Sequence, residues 1–112
     1  MLKEVMAYLM ACNLGTVIRN SVGMVMAGHR RPVRFGTPGQ ADITVELHGD
    51  PRAVHVECKA QGGKLSDKQV AWLEDQRRRG NVCIVAFSVQ DVYQGLTDAG
   101  FKVPMPSLRG AA

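Results

Sequence analysis

The chain has no pair of cysteines spaced to share a metal ion. Its three cysteines, Cys12, Cys58 and Cys83, stand far apart and are odd in number. Without a CxxC pair there is no zinc knuckle, and a scattered odd set makes no disulfide framework. Each lies in an apolar stretch, which reads as a buried thiol in a reducing compartment. Long apolar runs are missing too: none approaches the ~20 residues of a membrane span. Leu9-Met10-Ala11-Cys12 has the outline of a lipoprotein cleavage site. However, Lys3-Glu4 nets to zero charge and the apolar run before Cys12 is short, whereas a signal peptide needs a positive start and a longer apolar core. Low-complexity tracts and internal repeats are also lacking. These absences point to a cytoplasmic protein.

What remains is a chain of 112 residues, enough for one domain with one core. Hydrophobic residues make up 46% and charged residues 21%, ordinary for a folded soluble protein. The net charge is +4 and the pI about 9.3, which permits a polyanionic partner without requiring one.

Apolar spacing at Leu2, Val5, Met6, Leu9 and Met10 predicts a helix over 2–14, with Glu4 near its start and Gly15 as its stop. Residues 16–35 read as an irregular hairpin, with strand signals at Thr16-Val17-Ile18, Gly23-Met24-Val25-Met26 and Val33-Arg34-Phe35. After the loop Gly36-Thr37-Pro38-Gly39, Asp42 opens a strand to Leu47, and His48-Gly49-Asp50-Pro51 turns the chain back. Ala53 to Lys59 is the next strand, with Val54 and Val56 on one face and His55, Glu57 and Lys59 on the other. Gln61-Gly62-Gly63-Lys64 reads as a mobile loop. Ser66-x-x-Gln69 fits a capping box opening a helix with Val70, Leu73 and Gln76 on its period and Trp72 beside them, closed by Arg77-Arg78-Arg79-Gly80. Residues 82–87 are continuously apolar, as in a strand covered on both faces. Ser88 caps a last helix ending at Gly100, and the tail from about 101, with Pro104 and Pro106, is irregular. Helix, hairpin, strand, strand, helix, strand, helix suits an α/β mixed sheet with helices packed against it.

The chemistry concentrates on Asp42, Glu57 and Lys59. Side chains two apart on a strand point the same way, so Glu57 and Lys59 share a face. A tight turn joins their strand to the one Asp42 opens, so all three groups converge at one end of the sheet. Two carboxylates aimed at one point repel unless a cation lies between them. Oxygen donors there suit a hard divalent ion, Mg²⁺ or Mn²⁺, with the backbone carbonyl of Cys58 as a further ligand. An ion so placed polarises a phosphate oxygen and, with Lys59, favours hydroxide, which suits phosphodiester hydrolysis. Glu-x-Lys alone reads as a weak surface ion pair on a solvent face; only the addition of Asp42 after a glycine-rich loop brings the metal reading level with that one.

Gly39-Gln40-Ala41-Asp42, then Val56-Glu57-Cys58-Lys59-Ala60, then Gly63-Lys64-Leu65-Ser66-x-x-Gln69-x-x-Trp72-Leu73 resemble the virus-type replication-repair nuclease (VRR-NUC) domain, a branch of the PD-(D/E)xK nuclease superfamily. The resemblance spans roughly residues 4–93, with the motifs in order. It implies a restriction-endonuclease-like mixed β-sheet flanked by helices and Mg²⁺- or Mn²⁺-dependent DNA cleavage. Asp42 and Glu57 would hold the metal, Lys59 would serve the attacking water, Gln69 would support the site, and Glu4 would match the acidic residue of the first helix. Small free-standing members resemble homodimeric enzymes acting on branched DNA, especially Holliday junctions, often in viruses of bacteria. That would place this chain in the bacterial host cytoplasm. The residue before the first aspartate is often proline in that family and is Ala41 here; proline would stiffen the strand entry but supplies no ligand.

Other features have competing explanations. Gln69 serves the capping box as well as any site. Arg30, Arg31 and Arg34 crowd a hairpin before the metal loop and are the leading candidates for DNA-backbone contact, with Arg19 and Lys64 behind them. Arg77-Arg78-Arg79 reads as cations offsetting a helix dipole. His29, His48 and His55 form no metal-ligand spacing, and His55 reads as a structural histidine. Trp72 reads as packing, and Met24/Met26 as apolar filler or dimer surface. The alternatives to a junction-resolving endonuclease are a non-catalytic branched-DNA-binding protein on a nuclease fold and a flap or nicked-duplex nuclease.

Overall fold

The computed structural model describes residues 1–21 and 37–107 in full and, between them, the backbone of two strands, Gly23–Ala27 and Arg31–Phe35. The chain runs α1 (Leu2–Cys12), β1 (Gly15–Arg19), β2 (Gly23–Ala27), β3 (Arg31–Phe35), β4 (Ile43–Leu47), β5 (Ala53–Cys58), α2 (Asp67–Arg78), β6 (Val82–Ala86) and α3 (Val89–Asp98). It is an α/β fold. A four-stranded mixed sheet in the order β1-β4-β5-β6 has β1, β4 and β5 antiparallel and β6 parallel to β5 through the α2 crossover.

Two readings of the N-terminal third need correction. The first helix ends at Cys12, not 14, because Asn13 takes the left-handed conformation (φ 53°, ψ 39°) that stops it. Gly15 instead opens β1, where an added Cβ would collide with the Glu46 carbonyl of the neighbouring strand. The segment Thr16–Ile18 does not belong to the hairpin: β1 pairs with β4 from Gly15↔Leu47 to Arg19↔Ile43, leaving β2 and β3 as a separate two-stranded ribbon. A lone ribbon has little core to bury against, whereas β1 on the main sheet lets Val17 pack on its core.

One sheet face carries the apolar core. Ile43, Val45, Val54, Val56, Ile84 and Ala86 meet Val5, Tyr8 and Leu9 of α1 and Val92 and Leu96 of α3. Complete burial of such side chains stabilises the fold by about 1.5–3 kcal/mol each. The tail is irregular but docked: the Tyr8 hydroxyl donates to the Pro104 carbonyl, and Val103 packs on the core.

The other face lies under α2. Its stripe is not Val70-Leu73-Gln76 as expected, since Val70 is exposed; it is Gln69, Trp72, Leu73 and Gln76. Leu73 is buried and its carbonyl accepts from the Cys83 thiol, while the other three meet polar groups of the sheet. Apolar periodicity misplaces the stripe because half of it is glutamine. The 61–64 segment begins as a closed turn, with Gly63 N–H donating to the Ala60 carbonyl at 2.8 Å.

Candidate metal and nucleic-acid site

Register builds the site. β4 pairs antiparallel with β5 as Ile43↔Val56, so the next position outward sets Asp42 opposite Glu57. Ile43 and Val56 face the core, so by alternation Asp42 and Glu57 face α2. Lys59, two residues beyond Glu57 and just past the end of β5, lies on the same side, its N–H donating to the Ala86 carbonyl. Asp42 Oδ2 accepts from the Cys58 N–H at 2.8 Å, and Glu57 Oε1 accepts from the Asp42 N–H at 3.2 Å. Lys59 Nζ stands 3.7 Å from Glu57 Oε2. The three expected groups therefore meet at one end of the sheet.

Glu57 is only 3% exposed. Burial, and then the neighbouring charge of Asp42, push its carboxyl above the usual carboxylate range; Lys59 opposes them. Lys59 faces Glu57, and Asp42 adjoins the same buried carboxylate. Two acids this close repel each other, and a cation between them would relieve that repulsion. The donors also fit a hard divalent ion, since Mg²⁺ is held by one or two carboxylates with water and phosphate oxygens completing its shell. Among the described residues no cluster of three or more Asp, Glu, His or Cys side chains suits a metal, so the protein's share would be Asp42, Glu57 and backbone oxygen such as the Cys58 carbonyl. Burial first, then Asp42 and Glu57, push the Cys58 thiol up to about 11, so without a metal it stays protonated at neutral pH.

Gln69 completes the capping box and also reaches Glu57. Its Oε1 accepts from the Ser66 N–H at 2.9 Å and its N–H donates to Ser66 Oγ at 3.2 Å, completing the capping box. Its Nε2 donates to Glu57 Oε2 at 2.9 Å. The cap thus fixes the amide that steadies the carboxylate. The loop before Asp42 is seated on the same turn: Gly39 has φ 83°, and an added Cβ would strike the Lys68 carbonyl and the Gln69 N–H nitrogen.

Next to the carboxylates a polar chain crosses the sheet. Asn20 Nδ2 donates to Thr44 Oγ1 at 2.8 Å, Thr44 Oγ1 lies 2.9 Å from His55 Nδ1, and His55 Nε2 lies 3.1 Å from Gln76 Oε1. Asn81 Nδ2 also donates to Gln76 Oε1 at 2.8 Å. That oxygen can only accept, so His55 carries its proton on Nε2 and accepts the Thr44 hydroxyl on Nδ1. Burial holds its pKa below the usual histidine value, partly offset by Gln76. Trp72 packs edge-on to its ring, with centroids 4.7 Å apart. His55 is a satisfied structural histidine, and Trp72 is packing.

The remaining expected residues fall elsewhere. Glu4 is exposed on α1 and pairs with the N-terminal ammonium at 2.9 Å; among the described residues no bond or ion pair ties it to Asp42 or Glu57. Arg30 and His29 lie outside the described residues. Arg31 and Arg34 belong to β3, where only the backbone is described, as is that of Met24 and Met26 in β2. Arg77, Arg78 and Arg79 are exposed at the far end of α2, about 18 Å from its start at 1.5 Å per residue, and Arg78 and Arg79 pair with Asp75. Lys64 and His48 are exposed.

A cleft of about 610 Å³ opens beside Asp42, walled by Arg19, Asn20, Gln40, Ser66, Lys68 and Gln69 among others. Neither Arg19 nor Lys68 has an acidic partner among the described residues. Lys68, Asn20 and Thr44 escaped the sequence reading as site residues, since a lone polar residue in a single sequence carries no signal until register shows what it faces. No family model and no curated protein matches the chain, so the functional reading rests on its own residues and geometry.

Proposed function

We propose that this protein is a Mg²⁺- or Mn²⁺-dependent, structure-selective DNA endonuclease of the VRR-NUC type, with a restriction-endonuclease-like fold, acting as a homodimer on branched DNA such as Holliday junctions. The observation that carries the reading is that Asp42 and Glu57, opposite one another on paired strands, share a partly desolvated pocket with Lys59 3.7 Å from Glu57. Asp42, Glu57 and the Cys58 carbonyl would hold the ion. Once bound, the ion would polarise a phosphate oxygen and make water more acidic. Lys59 would orient the attacking water and take up negative charge beside it, while Gln69 keeps Glu57 turned into the site. Arg19 and Lys68 in the cleft and Lys64 on the adjoining turn, together with Arg31 and Arg34 of β3 and Arg30 before it in the sequence, would meet backbone phosphates. Two copies related by a two-fold axis would suit paired symmetric cuts, in the cytoplasm of a bacterial host.

One observation favours a non-catalytic, DNA-binding reading: both Glu57 oxygens already have partners within the protein, Oε2 accepting from Gln69 while facing Lys59. Incubating the protein with labelled four-way junction, flap, nicked and linear duplexes in Mg²⁺ and Mn²⁺ separates the readings. Junction cleavage that vanishes in Asp42→Ala supports the resolvase. Preference for a flap or nick redirects the substrate class. Metal-independent junction binding, with no product in either metal, overturns the catalytic reading.

A further inference from the structure

Asp42 precedes β4 and ends a loop, so the ladder alone does not fix it. Asn20, half-buried just after β1, reaches both of its flanking peptides. Its Nδ2 donates to the Ala41 carbonyl at 3.0 Å, and its backbone N–H donates to the Asp42 carbonyl at 2.8 Å. The second Nδ2 proton goes to Thr44 Oγ1 at 2.8 Å, two residues further along β4. Each peptide is planar, so holding the planes on both sides of one Cα sets its φ and ψ and thereby the direction of its Cα–Cβ bond. One terminal NH₂ provides both side-chain bonds. Aspartate at 20 would keep the shape and lose both donors, and serine would be too short to span them.

We propose that Asn20 is the positioning residue that aims the Asp42 carboxylate at the ion shared with Glu57. The role rests on the metal reading above. Asn20 acts through the backbone of Asp42, while the Cys58 N–H holds the carboxylate at its other end at 2.8 Å. The far end of the same polar chain supplies a matched control. Asn81 also makes two side-chain bonds, donating to Gln76 and accepting from the Ala53 N–H, but flanks no expected ligand.

Calorimetric titration of Mn²⁺ into wild type, Asn20→Ala, Asn20→Leu and Asn81→Ala, with thermal melts of each, tests the role. Outer partners of metal ligands typically tune affinity by about 10–100-fold, so both Asn20 variants should bind Mn²⁺ about tenfold more weakly or worse. Asn81→Ala should melt earlier yet bind as wild type does. Wild-type affinity in the Asn20 variants, or equal weakening in Asn81→Ala, overturns the positioning role alone. Absence of Mn²⁺ binding by wild type overturns the metal reading and this role with it. Hydrogen exchange on wild type covers the case in which the variants do not fold. Mn²⁺ should slow exchange of the Asn20 amide and the 41–44 segment, and unchanged exchange on saturation counts against the proposal.

Discussion

The two faces of the central sheet are made by alternate residues of the same strands, yet they are built on different rules. On the side of α1 and α3, Ile43, Val45, Val54 and Val56 pack against Val5, Leu9, Val92 and Leu96 with almost no exposure. On the side of α2, Thr44, His55 and Glu57 meet Gln69, Trp72 and Gln76, and hydrogen bonds replace much of the apolar contact. No buried side-chain polar atom among the described residues lacks a partner, so the second face is a satisfied network rather than a weak core. What distinguishes it is Glu57. A buried carboxylate opposed by a second acid is an arrangement that stability alone does not favour. The first face holds the fold, and the second spends stability to aim groups at one point.

That division can be broken most sharply at Glu57. Glu57→Gln removes the charge but keeps the shape. If Glu57 holds the proposed ion, its loss removes several kcal/mol of transition-state stabilisation, and the proposed cleavage should fall by about 10³-fold or more. The melting temperature without metal should hold or rise, because burial and Asp42 both disfavour the ionised form. A large drop in melting temperature with cleavage retained would make Glu57 structural and erase the contrast between the faces. Leu9→Ala, on the opposite face and only 1% exposed, should do the reverse. It should cost about 2–5 kcal/mol in a denaturant titration, while kcat measured well below its melting point stays near wild type.

The contrast also explains what was legible in the sequence. Alternation in 43–47 and 53–58 around the turn at 48–51 shows the hairpin, and parity along it places Asp42, Glu57 and Lys59 on one side. The order of helices and strands gives the mixed sheet. Ser66-x-x-Gln69 marks the start of α2 to within a residue. Apolar patterning reads the first face well because that face obeys it. It fails on the second, where Gln69 and Gln76 occupy half-buried positions and Val70 is exposed. The partner of β1 and the clamp at Asn20 depend on contacts between residues more than twenty positions apart, which no local pattern encodes. Asn13 displaced Gly15 as the helix stop for a similar reason, since Gly15 is needed where two strands crowd.

The seam between the faces lies at Gly39, whose loop rests on the first turn of α2. Gly39→Ala meets two obstacles at once: a left-handed φ of 83° and the Lys68 backbone in the space a methyl would need. It should cost about 1–3 kcal/mol of stability. Unlike Leu9→Ala it should also lower kcat at temperatures where the variant is fully folded, because the loop shifts Asp42 relative to Gln69 and Glu57. An unchanged kcat would show that the loop does not set the site.

The smallest expected effect is also the most specific. Glu57 must lose its proton to bind a cation, and its pKa is raised by burial and by Asp42. Mn²⁺ affinity should therefore fall, as pH is lowered, at a pH above the ordinary glutamate value. The linkage has a definite sign. A carboxyl whose folded pKa lies above its unfolded one binds more protons when folded, so metal-free stability from this group declines as pH rises through that window and is greatest below it. His55 acts oppositely: its folded pKa is lowered, so its contribution is present above the unfolded histidine value and lost as pH falls below it. Gln69→Leu isolates the carboxylate. It removes the Nε2 donor that Glu57 Oε2 accepts at 2.9 Å, a bond that favours the charged form, so the acid limb of Mn²⁺ binding should move to higher pH. The cost to α2 from the broken capping box is about 1 kcal/mol. An acid limb that stays in place would mean that another group controls cation binding, and the α2 face would lose its claim to be arranged around Glu57.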